Sequence, residues 1–379
     1  MSTKKINVEE ERAKFEATMK AQQEALARSQ AAKRHAFEET LKLRLAEEAE
    51  AEKRAKEGKP AETPAADAAK KDESASGECP GKAANKCEGC PSKDQCQKNA
   101  AAAKELNDDI AIRMQMVKHR VLVLSGKGGV GKSMVSTQLA FALCRKGYSV
   151  GLLDIDICGP TIPKMLGVEG KDVIKGATGL IPVQVTDKLC AMSIGFLVDD
   201  QNAPVIWRGP RKLGLIQTFL RDVDWGVLDY LIVDTPPGTS DEHISIVQLL
   251  TKAAQIDGAV VVTSPQDVSV IEVSKEINFC KKMGVPLMGV VENFGSFVCP
   301  DCGKTTDIWP ATSGGGVALA RQHGIPFLGK VPLDPSLAKA GEMGAEITKE
   351  ASEPTFKAIE DITGKVADKI KEIDDAFGY

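Results

Sequence analysis

From about residue 104 onward, short apolar runs of strand length alternate with longer stretches of helical period. The runs are Val121–Leu124, Val150–Asp154, Leu189–Ser193, Tyr230–Asp234, Ala259–Thr263, Leu287–Glu292 and Phe327–Val331. Strands interleaved with helices in this way predict a doubly wound parallel α/β sheet. Near the C-terminus Phe356, Ile359, Ile362, Val366, Ile370 and Ile373 recur at helical spacing. They predict a last helix with one face packed on the domain.

The first 58 residues follow another pattern. They are rich in Glu, Lys, Ala, Arg and Gln, with no Gly or Pro before Gly58 and Pro60, which favours a long helix. Phe15 and Met19, and Phe37, Leu41 and Leu45, keep i,i+4 spacing, but no heptad is sustained. A solvated helix is therefore expected ahead of a coiled coil. Residues 59–78 form a low-complexity linker without core-forming side chains. A cysteine-rich module at 79–103 and the α/β domain at 104–379 complete the expected organisation.

Composition narrows the function. With 379 residues there is room for one core plus extensions. A net charge of -4 argues against nucleic acid as a main partner, since phosphate binding needs clustered Lys and Arg that outweigh the acids. No apolar run reaches the roughly 18 residues of a membrane span. The last helix mixes Lys365, Lys369 and Lys371 with Asp368, Glu372, Asp374 and Asp375, a poor membrane surface. The opening MSTKKINVEEERAKFE has no apolar signal core, and its acids run against a transit peptide, so a cytoplasmic location is expected.

The stretch VLVLSGKGGVGKS sets a strand before a glycine-rich loop and a helix after it. Gly126, Lys127, Gly128, Gly129, Val130, Gly131, Lys132 and Ser133 fit the Walker A pattern in full. The glycines let backbone N–H groups turn toward phosphate oxygens. Lys132 neutralises the β- and γ-phosphates, and the Ser133 hydroxyl binds Mg²⁺. The following helix aims its positive end at the nucleotide. Two acids stand at the carboxyl ends of later strands, where ligands bind in such sheets. Asp234, before Thr235-Pro236-Pro237-Gly238, reads as the acid that holds Mg²⁺, and Asp156 as the group that orients the attacking water. The alternative is that both merely cap the loops that follow.

Ten cysteines need an explanation in a chain that is neither small nor secreted. Six are clustered: Cys79, Cys87, Cys90 and Cys96, then Cys299 and Cys302. The lone Cys144, Cys158, Cys190 and Cys280 read as small buried hydrophobes. Cys299-Pro-Asp-Cys302-Gly303 puts two thiolates on one tight turn, which is half a metal site. A two-fold axis supplies the other half, for a bridging cluster or for zinc. The four upstream cysteines suit a [4Fe–4S] cluster or zinc within one chain.

Lys127, directly after the first glycine, resembles the deviant Walker A loop of the nitrogenase iron protein, MinD and ParA class. There the first lysine reaches across a dimer to the partner's nucleotide, like an arginine finger. The stretches DIDICGP (154–160), WRGP (207–210), DYLIVDTPPGTSDEH (229–243), SPQDV (264–268) and CPDCG (299–303) accompany it. Together they resemble the Mrp/nucleotide-binding-protein family of iron–sulfur scaffold ATPases over about 110–345. The N-terminal cysteines resemble its eukaryotic cytosolic branch, with a shorter loop after Cys79. The resemblance implies slow ATP hydrolysis with Mg²⁺, adenine recognition by Asn293, and a homodimer or a heteromer with a related scaffold ATPase. It implies one ferredoxin-like [4Fe–4S] cluster per chain and one bridging [4Fe–4S] cluster per dimer. It further implies transfer to cytosolic and nuclear apo-proteins, helped by targeting factors. A MinD/ParA-like positioning ATPase and an electron-transfer ATPase with a permanent cluster are the alternatives.

Overall fold

The computed structural model describes residues 93–157, 159–197, 209–239, 241–299, 301–309 and 312–377. By internal contacts the chain divides into 1–96 and 97–379. The expected helix at 1–58, the linker, and Cys79, Cys87, Cys90 and Cys158 lie outside the described residues. Cys96 falls in the first helix, α1 (Lys93–Met114), and its side chain is outside them too. That helix runs unbroken through 103–104, where the sequence pattern suggested a boundary.

Continuous apolar runs become buried strands because both faces of the sheet are covered by helices. In β1 (Val117–Leu124), Val121 and Val123 face one layer, with Leu139 and Leu143 of α2 (Lys132–Arg145) and with Ile359, Ile362 and Val366 of the C-terminal helix. Leu122 and Leu124 face the other, against Phe219, Ile246 and Leu250. The strand period of two thus feeds two cores from one segment. Each such side chain contributes about 1.5–3 kcal/mol by burial. Phe219 is fully buried, and cutting it to alanine is expected to cost about 3–5 kcal/mol.

In chain order the elements that matter are β2 (Val150–Asp154), α3 (Ile162–Met165), β3 (Ile174–Lys175), β4 (Leu180–Ile181), β5 (Val183–Thr186), β6 (Leu189–Ser193) and α4 (Gly209–Arg221). Then come β7 (Leu228–Asp234), α5 (Asp241–Ala253), β8 (Gly258–Thr263), α6 (Asp267–Met283), β9 (Leu287–Val298) and β10 (Thr305–Thr306). The chain closes with α7 (Gly315–His323), β11 (Phe327–Leu333), α8 (Pro335–Glu342) and α9 (Glu353–Phe377). The main sheet runs β10-β9-β8-β1-β7-β2-β6-β5, with β11 also on β9. Its centre is parallel, and β5 and β10 join antiparallel at the ends. This is the doubly wound α/β sheet that the sequence pattern predicts. The helix predicted from Phe356 to Ile373 is α9, which Arg145 ties to α2 through Glu360 at 2.7 Å and by lying 4.8 Å above the Phe356 ring.

β1 and β9 exceed the expected runs by the most, for visible reasons. β1 begins at Val117, four residues early, behind the polar Lys118, His119 and Arg120. The Arg120 backbone N–H donates to Asp257 at 2.7 Å, and the His119 ring lies 5.4 Å from Tyr230. β9 continues past Glu292 to Val298 although Asn293, Gly295 and Ser296 weaken its apolar signal. Its ladder partners β11 and β10 hold that extension.

Cys190 and Cys280 are buried and Cys144 partly so. Burial pushes all three thiols up to about 12, so they stay neutral, as lone packing cysteines should. Among the described residues no helix is long and apolar enough to cross a membrane.

Candidate functional site

The site is built where β1 stops. Gly126 has no room for a side chain, since a Cβ there would stand 2.4 Å from the Glu272 backbone in α6. Gly129 and Gly131 hold φ of 80° and 78°, the left-handed region that admits glycine without steric cost. Gly131 is also the N-cap of α2 and makes no side-chain cap bond. The first-turn N–H groups of that helix are thus left to the loop, the arrangement that receives a phosphate.

Beneath the loop the strand order assembles the charged groups. Lys132 and Asp234 are almost fully buried, with Lys132 Nζ 2.6 Å from Asp234 Oδ2. Ser133 Oγ donates to the same oxygen at 2.7 Å, and Ser136 Oγ to Oδ1 at 2.5 Å. Asp154 lies in register beside Asp234 on the adjoining strand. Its carboxyl accepts from Ser193 Oγ at 2.9 Å and from the Asp156 backbone N–H at 3.0 Å. Burial and then the neighbouring Asp234 push the Asp154 carboxyl well above the usual carboxylate range. Asp156 itself is half-buried at the end of β2. Lys127, Gly128 and Gly129 are exposed at the outer side of the loop.

The segment after Asp234 is tied to the loop. Gly238 N donates to the Ser125 carbonyl at 2.8 Å, and Thr235 Oγ1 to the Val123 carbonyl at 2.9 Å. His243 of α5 reaches Thr235 Oγ1 at 3.0 Å and stands 3.7 Å from Glu276 of α6. All three are fully buried. Burial holds His243 down at about 4 and lifts Glu276 to about 7.

Asn293, expected to recognise adenine, stands behind the loop at 1% exposure. Its Nδ2 donates to the Val130 carbonyl at 2.9 Å, so it braces the loop, while its Oδ1 is buried without a hydrogen-bond partner. The next residue, Phe294, has φ 59°, a costly conformation for an aromatic residue. The same strand ends at Val298, directly before Cys299. Gly303, at φ 67°, turns the chain back. Gly303 N donates to the Cys299 carbonyl at 2.8 Å and Cys299 N to the Lys304 carbonyl at 3.1 Å. The tip carries Cys299, partly exposed, and Cys302, exposed. Backbone N–H groups of Cys302 and Asp301, and the Cys302 thiol, hold the Cys299 thiol below its usual range, toward the metal-binding thiolate. Among the described residues no group of three or more His, Cys, Asp and Glu is arranged to hold a metal.

The structure therefore brings together Gly126 through Ser133, Asp156, Asp234 and Asn293, and sets Cys299 and Cys302 apart on a hairpin. Sequence reasoning gave no role to Asp154, Ser136, Ser193, His243 or Glu276. The two-residue spacing of Asp154 and Asp156 at a strand end was the one available signal.

A mostly parallel sheet with a glycine-rich loop between its central strand and a helix, and an acid on the next strand, defines a P-loop NTPase. The model of the NUBPL iron-transfer P-loop NTPase family matches residues 116–367, and the chain belongs to that family. Among solved structures, the nucleotide-binding protein of Archaeoglobus fulgidus, in complex with ADP and with cobalt found by PIXE, is 37% identical. It covers 63% of this chain and 91% of its own, with a TM-score of 0.54. The cell division ATPase MinD of Pyrococcus furiosus is 21% identical, with a TM-score of 0.48, over 66% of this chain and 99% of its own. MinD in the MinC:MinD complex of Aquifex aeolicus is 19% identical, with a TM-score of 0.46, over 66% and 95%.

Proposed function

We propose that the protein is an ATP-dependent scaffold that assembles [4Fe–4S] clusters and hands them to apo-proteins. One observation carries this reading. β9 bears Asn293, which braces the nucleotide loop, and runs on to Val298, the residue before Cys299. A change of nucleotide state at the loop therefore has a direct strand connection to the cysteine pair. A positioning ATPase has no use for such a pair.

In this reading the loop N–H groups and Lys132 bind the phosphates of ATP. Ser133 and Asp234, already in contact, would hold Mg²⁺, which supplies charge neutralisation at the phosphates. Asp156 orients the attacking water, and Lys127, exposed beside the loop, extends to a second copy's nucleotide. Cys299 and Cys302 of two copies supply the four thiolates of a [4Fe–4S] cargo. A site split between subunits opens when their interface shifts, so its cluster is the transferable one. The cluster expected at Cys79, Cys87, Cys90 and Cys96 closes within one chain and is retained longer.

The test is anaerobic reconstitution of wild type and a Cys299→Ala/Cys302→Ala variant, with mass by sedimentation and delivery to an apo-protein. The variant should lose the shared cluster and deliver none. Delivery at the wild-type rate overturns the scaffold reading in this form, and stoichiometric zinc without sulfide in wild type overturns the iron assignment.

A further inference from the structure

Beside the nucleotide loop lies a cavity of about 310 Å³, within the range of small-molecule sites. One wall is the loop itself, residues 127–130. The rest of the lining is Phe294, Trp309 and Leu333 together with the polar Ser264, Gln266 and Ser269. Another cavity, of about 450 Å³, lies between the end of α5 and the starts of β8 and β9, lined by 251–256 and 284–286, away from the phosphate loop. A phosphate cradle that abuts a cavity carrying two aromatic rings has the layout a nucleotide needs. The charged tail sits on N–H groups, and the flat base sits on a ring.

Two further observations point to the same slot. The Asn293 donor is engaged by the Val130 carbonyl, which leaves the side chain only its Oδ1 for the edge of a base and no part in stacking on its face. Phe294 is the described non-glycine residue with positive φ, and this turn of the backbone sets its ring against the loop. A Cβ on Gly131 would lie 3.2 Å from Phe294 Cζ. Trp309 comes from elsewhere in the chain. After the cysteine turn, β10 returns along Phe297 and Val298, and Trp309 follows three residues past Thr306. Its indole is 37% exposed, which leaves a face for a ligand.

We propose that Trp309, with Phe294, is the nucleobase contact of this protein. The inference rests on the nucleotide-binding reading above and names the residue that reads the base. The indole stacks on the base face and makes no edge hydrogen bond that selects one purine. Trp309 therefore supplies affinity for the nucleoside and nothing to the phosphates.

The experiment separates the two halves of the ligand. Titration calorimetry on the full chain with Mg²⁺ compares ADP with inorganic tripolyphosphate, for wild type, Trp309→Ala and Trp309→Phe. Trp309→Ala should weaken ADP about 10-fold and leave tripolyphosphate unchanged, while Trp309→Phe should keep most of the ADP affinity. Unchanged tripolyphosphate binding also certifies that the variant is folded. Equal loss of both ligands, or no loss of ADP, overturns the proposal while the nucleotide reading stands. Wild-type protein that binds neither ligand overturns the nucleotide reading and the proposal with it.

Discussion

Lys132 Nζ lies 2.6 Å from Asp234 Oδ2, both groups nearly inaccessible to water. In the function proposed above Lys132 meets the phosphates of ATP and Asp234 the Mg²⁺, so each charge of this buried pair would have a partner in the complex as well.

Lys132→Ala should abolish ADP and ATP binding by calorimetry, because the phosphates lose their direct charge partner. It should also lower stability by about 3–5 kcal/mol in urea unfolding, because Asp234 is left buried without its cation. Binding within a few-fold of wild type would remove Lys132 from the site.

Asp156→Ala should bind ATP near the wild-type affinity and release phosphate at least about 100-fold more slowly, since only water orientation is lost. Phosphate release at saturating ATP is the measurement. A wild-type rate refutes the role.

Gly126→Ala should destabilise by about 1–3 kcal/mol, since its Cβ would meet the Glu272 backbone at 2.4 Å and one of loop or α6 must move. Nucleotide binding should weaken with it. Gly128→Ala, whose nearest neighbour is Pro237 at 3.8 Å, should be tolerated in a denaturant titration.

The buried pair His243 and Glu276 should give opposite pH slopes. His243 falls from 6.5 to about 4 on folding. Between those values the unfolded chain holds the extra proton, so stability is lost as pH drops. Glu276 rises from 4.5 to about 7, so in that window the folded chain holds the extra proton and stability is lost as pH rises. His243→Gln should lessen the acid loss, and Glu276→Gln should lessen the loss toward pH 7. Urea midpoints at several pH values, unchanged in slope by either variant, would contradict both assignments.

Much of this protein was legible as contiguous patterns. The loop Gly126 to Ser133 is eight consecutive residues between a strand and a helix, and its glycines and lysines state their purpose locally. The apolar runs fixed β2 and β6 to the residue, because both are buried throughout. The cysteine turn at 299–303 is likewise local, with its donors and its glycine within five residues. Polar starts and glycine-bearing ends were harder to see: β1 began earlier and β9 ended later than their apolar cores, because ladder partners hold those residues.

The sequence by itself determined the α/β class, the phosphate loop and the two-thiol turn, since each is written in neighbouring residues. Tertiary structure decided what surrounds them. Asn293 reaches the Val130 carbonyl across 163 positions, and Ser136 meets Asp234 across 98. Asp154 is held above the usual carboxylate range by its burial and because β2 pairs with β7 in a register that sets it beside Asp234. His243 reaches Thr235 and Glu276 where α5 and α6 pack on one face of the sheet, and Trp309 comes to line a cavity with the loop where the hairpin returns. Strand order and register set these distances, and no local spacing encodes them. A buried charge takes its state from whatever the fold places next to it.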